Sequence, residues 1–396
     1  MPAVTRRPEI RAGTWQPVRL PHPPRLRRVG TEGSRAAMVS PGHWPFRYRV
    51  PSSKALSVVE IRQFIREFFR ESHQRSRTGA GRRWRHLGGY GREGRGMKPP
   101  RFAYHDPRTV EEAVDLLARY GGEAKVLAGG QSLIPLLNFR LARPAALVDV
   151  NRIPGLDTLV VEGGRLRVGA LVRHRQAERA EAVRRHCPLL AEALGWVGHP
   201  AIRHRGTVCG SLAHADPAAE LPAVWVTLDG AVRARGPAGE REVPAGEFFL
   251  TYFTTALDPA EMVVEATLPV LPPGAGWAFE EVARRHGDFA LAAAAAVVEL
   301  DETGRIARVR LGLAGVGPVP LRARSVEAFL AGREPGETTW REAAALVEEE
   351  VEPESDLHAS AAYRRRLAGV LTRRALDRAA RRAAAAVSAG RGGERG

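Results

Sequence analysis

PRFAYHDPRTVEEAVDLLARYGGEAKVLAGGQSLIPLL, residues 100–137, reads as a short strand, a helix, a second strand and a glycine turn that returns to apolar residues. Thr109 is a helix N-cap, Glu111 and Glu112 place acid where the first-turn N–H groups lack partners, and Gly121-Gly122 stops the helix. The next strand ends in AGGQS. Its consecutive glycine N–H groups, with the Gln131 amide and the Ser132 hydroxyl, make a nest of donors suited to a phosphate oxygen. An ordinary glycine turn after a strand accounts for the same residues, and the loop alone leaves both readings open. It has neither the GxGxxG spacing of a Rossmann turn nor a GxxxxGK[ST] nearby.

Working outward, LVDVNRIPGLDTLVVEGGRLRVGALV (147–172) shows strand-like runs split by Pro-Gly and Gly-Gly turns, and a helical stretch is expected over about 176–195. GHPAIRHRGTVCGSLAHADPAAELPA (198–223) gathers Gly198, Gly206 and Gly210, the hydroxyls of Thr207 and Ser211, and the acids Asp216 and Glu220. Glycine N–H groups and hydroxyls suit a pyrophosphate, and a carboxylate accepts from ribose hydroxyls or a ring N–H. The segment also reads as a polar loop with helix caps, Asp216 before Pro217 being an N-cap with proline at N1. Strands dominate to about 270, and LPVLPPGAGW (268–277) is expected to be a linker. FEEVARRHGDFALAAAAAVVEL and RIARVRLGLAGVGPVPLRA then flank the turn DETG, and two helices near 323–350 and 358–387 close a C-terminal α+β domain over 277–387.

The net charge of +16 suggests a nucleic-acid binder only if it covers a folded face. Residues 1–96 hold 20 Arg and 1 Lys against 6 Glu and no Asp, which accounts for +15, so the rest of the chain is electrically balanced. This N-terminal extension, rich in Pro/Arg and Gly/Arg clusters, is expected to be disordered or mis-assigned. Its exception is ALSVVEIRQFIREFFRES (55–72), where Val58, Ile61, Ile65 and Phe68 share a helix face. A targeting segment, a nucleic-acid-binding arm and translation from a start placed too early all stand as readings. The Arg6-Arg7 pair lacks the following apolar stretch of an export signal, and the change of texture at Met97 favours the third. No run of 18 apolar residues predicts a membrane span. Two cysteines, Cys187 and Cys209, make neither a disulfide framework nor a four-thiolate site and fit a reducing cytoplasm; the 12 histidines show no metal-ligand spacing.

Together, AGGQSLIPLL, IRHRGTVCGSLAHADPAAELPA and RRHGDFALAAAA resemble the FAD-binding medium subunit of the molybdenum hydroxylases, the group of carbon monoxide dehydrogenase and the split-subunit xanthine dehydrogenases. The resemblance covers about residues 97–385. It implies an α+β fold: a two-subdomain FAD-binding domain of the vanillyl-alcohol oxidase type over 97–272, followed by the smaller C-terminal domain. It implies that Ala128, Gly129, Gly130, Gln131 and Ser132 grip the FAD diphosphate opposite Thr207, Val208, Cys209, Gly210 and Ser211. Gly198 would lie beside the cofactor, Glu220 would bond ribityl or ring-side polar atoms, Val263 would sit near the adenine or ring, and Phe289 would cover the isoalloxazine face. The chain departs from relatives that carry His at Gln131 or Tyr at Phe289. Cys209 replaces a glycine, so its side chain must turn away from the diphosphate.

The same resemblance implies a large molybdenum-cofactor subunit and a small iron–sulfur subunit as partners, assembled as a dimer of heterotrimers. Electrons from the clusters would reach FAD and leave to an acceptor, with no residue here acting on the organic substrate. A stand-alone flavin oxidase is the rival reading, weakened by the absence of a long substrate-cap domain. A basic nucleic-acid-binding protein is supported only by residues 1–96.

Overall fold

The computed structural model describes residues 98–393, with side chains to residue 388; the N-terminal extension and its amphipathic stretch at 55–72 lie outside the described residues. The first unit contains β1 (Ala103–His105), α1 (Val110–Tyr120), β2 (Ala124–Leu127), α2 (Leu133–Asn138) and β3 (Ala146–Asp149). Its ends follow local chemistry. The Thr109 hydroxyl accepts from the Glu112 N–H at 3.1 Å, and Gly121, in the left-handed region at φ 54°, closes α1 by donating to Leu117 and Ala118. The three strands are parallel in the order β1-β3-β2, with Leu127 beside Asp149. Parallel pairing therefore brings the C-terminal ends of β2 and β3 together, the place where open α/β sheets offer a crevice to ligands.

The second unit opens with the hairpin β4 (Leu159–Glu162) and β5 (Arg165–Gly169). Six short helices follow: α3 (His174–Arg179), α4 (Glu181–His186), α5 (Pro188–Leu194), α6 (Pro200–Arg205), α7 (Val208–His214) and α8 (Glu220–Thr227). After them come β6 (Ala231–Gly236), β7 (Gly239–Pro244), α9 (Ala245–Phe248), the small pair β8 (Phe249–Thr251) and β9 (Thr254–Thr255), and β10 (Met262–Pro269). The main sheet is antiparallel in the order β4-β5-β10-β6-β7. The single helix expected over 176–195 is three helices. Extended backbone at Ala180 separates the first two, and Pro188, lacking an N–H, can only begin the third.

The expected linker at 268–277 is shorter than its composition suggests. Leu268 and Pro269 finish β10 and Gly276 begins the next strand, because a proline at the end of a ladder interrupts nothing. The C-terminal unit is the antiparallel sheet β11 (Gly276–Val282), β12 (Ala292–Leu300), β13 (Ile306–Ala314) and β14 (Leu321–Arg322), covered by α10 (Arg324–Leu330), α11 (Glu337–Glu350) and α12 (Ala361–Gly393). The DETG turn joins β12 to β13, the Asp301 carboxylate accepting from the Thr303 and Arg305 N–H groups. Three helices stand where two were expected, since Gly332 at φ 76° and Pro335 break the first stretch.

The run of alanines in β12 is buried on both faces. Ala292, Ala294 and Ala296 meet the core beneath α10, α11 and α12, while Ala293 and Ala295 join the core of the preceding units. Small side chains let both layers approach closely. On the second face lies α8, every residue of which is buried. Thr227 sits directly over Gly312, where a Cβ would fall 1.9 Å from its hydroxyl. The architecture is thus the α+β class expected. Among the described residues, no helix is long and apolar enough to cross a membrane.

Candidate functional site

Residues 128–132 leave β2 and enter α2 around a cleft of about 370 Å³. Ala128, Gly129, Gly130, Gln131, Asn151 and Arg205 line it. Among the described residues, no group accepts from the N–H of Gly129, Gly130, Gln131 or Ser132. Unused donors at one concave turn are what a diphosphate requires. Gly130 takes φ 72°, which favours glycine, and the Gln131 amide folds back to donate to the Gly129 carbonyl at 3.2 Å. A Cβ on Gly129 would lie 2.5 Å from the Arg205 carbonyl oxygen and 2.7 Å from the Gly206 Cα, so the two glycine loops meet backbone to backbone.

What holds them is a chain of side-chain bonds. The Asn151 amide donates to the Ala128 carbonyl at 2.9 Å and to Asp149 at 2.6 Å. The Arg173 guanidinium donates to the Asn151 side-chain oxygen at 2.6 Å and to the Arg205 carbonyl at 2.6 Å. Burial works against the Asp149 carboxylate, yet donors from Tyr104 and Asn151 hold it below the usual carboxylate range. Sequence reasoning missed Asn151, Arg173, Asp149 and Arg205. The available signal was a polar Asn just past a buried strand, in VDVNRI, where loop carbonyls need donors.

In the second loop, Thr207 is the N-cap of α7, its hydroxyl accepting from the Gly210 N–H at 3.1 Å. A Cβ on Gly210 would fall 2.5 Å from that hydroxyl, so glycine leaves the Thr207 hydroxyl room in the rotamer it takes here. Gly206 lies against the His174 ring, and burial pulls this imidazole down to about 4, leaving it neutral. Ser211 is half-buried, whereas Val208 and Cys209 face the core. The Cys209 thiol donates to the Val168 carbonyl at 3.4 Å, away from the cleft, so the condition set by replacing a glycine is met. Burial pushes its pKa up, and that of Cys187 to about 12, so neither is poised for redox chemistry. A Cys209→Ser protein is expected to keep its flavin, and the native chain to resist a thiol reagent until denatured. Rapid labelling of the folded protein would refute this.

Gly198, at φ 50°, lies against Gly287, whose Cβ would be 2.8 Å from the Gly198 carbonyl oxygen. Trp196 stacks on His286 across the same contact, with centroids 5.3 Å apart. Phe289, in this turn, is 56% exposed. Glu220 begins α8 and is buried; burial first, then the Asp216 charge, pushes its carboxyl up to about 7 against the pull of its own N–H. Asp216 is not the helix cap expected. It accepts from the Ala218 N–H at 2.9 Å in a turn two residues long, and Ala219 is the N-cap. Val263 is buried in β10 opposite Ala234. The structure therefore brings residues 128–132 to the backbone just before Thr207, and Gly198 to the turn of Phe289. Glu220, Val263 and Phe289 do not line the cleft at 128–132.

Two family models match the chain: the FAD binding domain in molybdopterin dehydrogenase over residues 100–271, and the CO dehydrogenase flavoprotein C-terminal domain over 277–379. The chain is 42% identical to the 6-hydroxypseudooxynicotine dehydrogenase complex subunit alpha of Paenarthrobacter nicotinovorans, over 72% of this chain and 97% of that protein. It is 38% identical to the carbon monoxide dehydrogenase medium chain of Hydrogenophaga pseudoflava, over 72% and 98%. Among solved structures, a carbon monoxide dehydrogenase from H. pseudoflava lacking the Mo-pyranopterin moiety superposes with a TM-score of 0.70 at 39% identity, over 72% of this chain and 99% of that one. Quinoline 2-oxidoreductase from Pseudomonas putida 86 gives 0.69 at 39% identity, over 72% and 99%.

Proposed function

Because the chain belongs to the family of FAD-binding medium subunits of the molybdenum hydroxylases, we propose that its cleft and loops hold FAD for electron transfer between partner iron–sulfur clusters and an acceptor. The observation that carries this reading is the set of unused N–H donors at residues 129–132, pressed against the backbone of Arg205 and Gly206. A glycine turn serving only the fold has no need to leave its donors unpaired beside a cleft. Ala128, Gly129, Gly130, Gln131 and Ser132 would grip the diphosphate from one side. Thr207, Gly210 and Ser211, with the backbone of Val208 and Cys209, would face it from the other, and Arg205 adds positive charge. Gly198, Glu220, Val263 and Phe289 would serve the remainder of the cofactor.

FAD supplies the redox chemistry when bound, and the chain's residues supply grip, orientation and exclusion of water. No side chain here need act on the organic substrate. In this reading the FAD-binding domain spans 97–272 and the C-terminal domain 277–387, and the partners are a large molybdenum-cofactor subunit and a small iron–sulfur subunit in a dimer of heterotrimers in the cytoplasm. The test uses the purified chain. It should be yellow, stay oxidised with the organic substrate alone, and be reduced once both partners are added. Reduction without partners would favour a stand-alone oxidase, and a colourless chain that takes up no FAD would overturn the reading.

A further inference from the structure

Arg173 stands between β5 and α3, at the N-cap of that helix. Its backbone is fastened to the second glycine loop. The His174 N–H donates to the Gly206 carbonyl at 2.9 Å and the Val208 N–H to the Val172 carbonyl at 3.0 Å, an antiparallel bridge with Arg173 opposite Thr207. From there its side chain reaches groups that hold the first loop. One guanidinium nitrogen donates to the Arg205 carbonyl and the other to the Asn151 side-chain oxygen, each at 2.6 Å. Both acceptors adjoin residues 128 and 129. The Asn151 amide holds the Ala128 carbonyl at 2.9 Å, and the Arg205 carbonyl oxygen is the atom 2.5 Å from where a Gly129 Cβ would fall.

The polarity of this chain of bonds is fixed. Asp149 accepts from the Asn151 N–H at 3.0 Å, from its amide at 2.6 Å and from the Tyr104 hydroxyl at 2.6 Å. Turning the Asn151 amide over would set its NH2 against the guanidinium and its oxygen against the Ala128 carbonyl and the Asp149 carboxylate. One orientation alone satisfies every partner. Among the described residues no carboxylate bonds Arg173; burial, then the Arg205 charge, works against its guanidinium, and Asp149 favours it from a distance. A cation drawn from water onto neutral oxygens gives up hydration that a carboxylate partner would offset. What it gains is geometry, because the planar fork fixes two oxygens at one separation.

We propose that Arg173 is a positioning residue for the cofactor: its guanidinium straps the Asn151 side chain to the Arg205 carbonyl and so sets the separation of the two glycine loops for a diphosphate. Arg173 does not itself line the cleft; it acts through Asn151 and Arg205, which do. The proposal rests on the reading of this cleft as the diphosphate site. Lysine would keep the charge at this position but not the fork, so charge and spacing are separable.

The test titrates FAD into the full chain freed of flavin and follows flavin fluorescence, with circular dichroism beside it to read the fold. Arg173→Gln is expected to raise the FAD dissociation constant about tenfold, the order of a charge-assisted hydrogen bond. Arg173→Lys should fall with Arg173→Gln rather than with wild type. Asn151→Ala cuts the other end of the strap, so it should weaken FAD as well, and the double variant should lose no more than the worse single. If Arg173→Gln folds poorly, Arg173→Lys and Asn151→Ala with their double variant make the same comparison. A dissociation constant unchanged in the Arg173 variants, full recovery by lysine, or losses that multiply in the double variant overturns the strap. A wild-type chain that binds no FAD overturns instead the reading on which the strap rests.

Discussion

A Gly129→Val protein is expected to fold and to be purified nearly colourless, with FAD occupancy below about a tenth of wild type. The added side chain has no room, because its first carbon would lie 2.5 Å from the Arg205 carbonyl oxygen and 2.7 Å from the Gly206 Cα. Both are backbone atoms, so no rotamer change relieves the clash. The loops must part, and their separation is what sets the width of the proposed diphosphate grip. Overpacking of this kind costs about 1–3 kcal/mol, and each 1.4 kcal/mol is about tenfold in affinity. Gly246→Ala is the matched control, since a Cβ there meets nothing within 4 Å and its φ needs no glycine. Flavin absorbance per protein, beside circular dichroism, reads the result; a fully yellow Gly129→Val protein would remove this loop from the cofactor site.

Gly276→Ala is expected to lower stability by about 3 kcal/mol, a large effect for one methyl group. A Cβ at this position would lie 1.9 Å from the Ala379 carbonyl oxygen and 2.5 Å from the Ala383 N, both in the backbone of α12. The helix would have to lift from the sheet. Lifting it strains further bonds, because Arg378 and Arg382 of α12 reach Glu192 in α5 and the carbonyls of Phe279 and Trp277. Removing Glu192 alone should cost less, since both arginine side chains are more than a third exposed and water screens the pairs. Denaturant midpoints compare the two variants. An unchanged midpoint for Gly276→Ala would mean that the helix does not rest on this strand as described.

The sequence carried the local parts of the fold well, for a shared reason. Thr109 as a cap, Gly121 as a helix stop, DETG as a hairpin turn and Gly130 of AGGQS each act on groups a few residues away, so their chemistry is written in adjacent letters. Where local signals compete, reading fell short. Asp216 before Pro217 looks like a helix cap, yet its carboxylate is used within its own turn. The segment 176–195 looks like one helix because its composition does not show where the backbone at Ala180 becomes extended. The alanines of β12 could be recognised as buried, but not that they serve two cores at once.

Two glycine loops with hydroxyls and acids, and a balanced body behind a basic extension, are properties of the sequence itself. The tertiary structure decided which backbone groups meet. Asn151 reaches the Ala128 carbonyl 23 residues away, Arg173 joins Asn151 to Arg205, and the Cys209 thiol turns to Val168 rather than to the cleft. It also decided that Glu281 is buried with no donor to either carboxyl oxygen among the described residues. Capping, turn and glycine preferences act over one or two turns of chain, whereas these contacts exist only once sheets and helices have packed and excluded water.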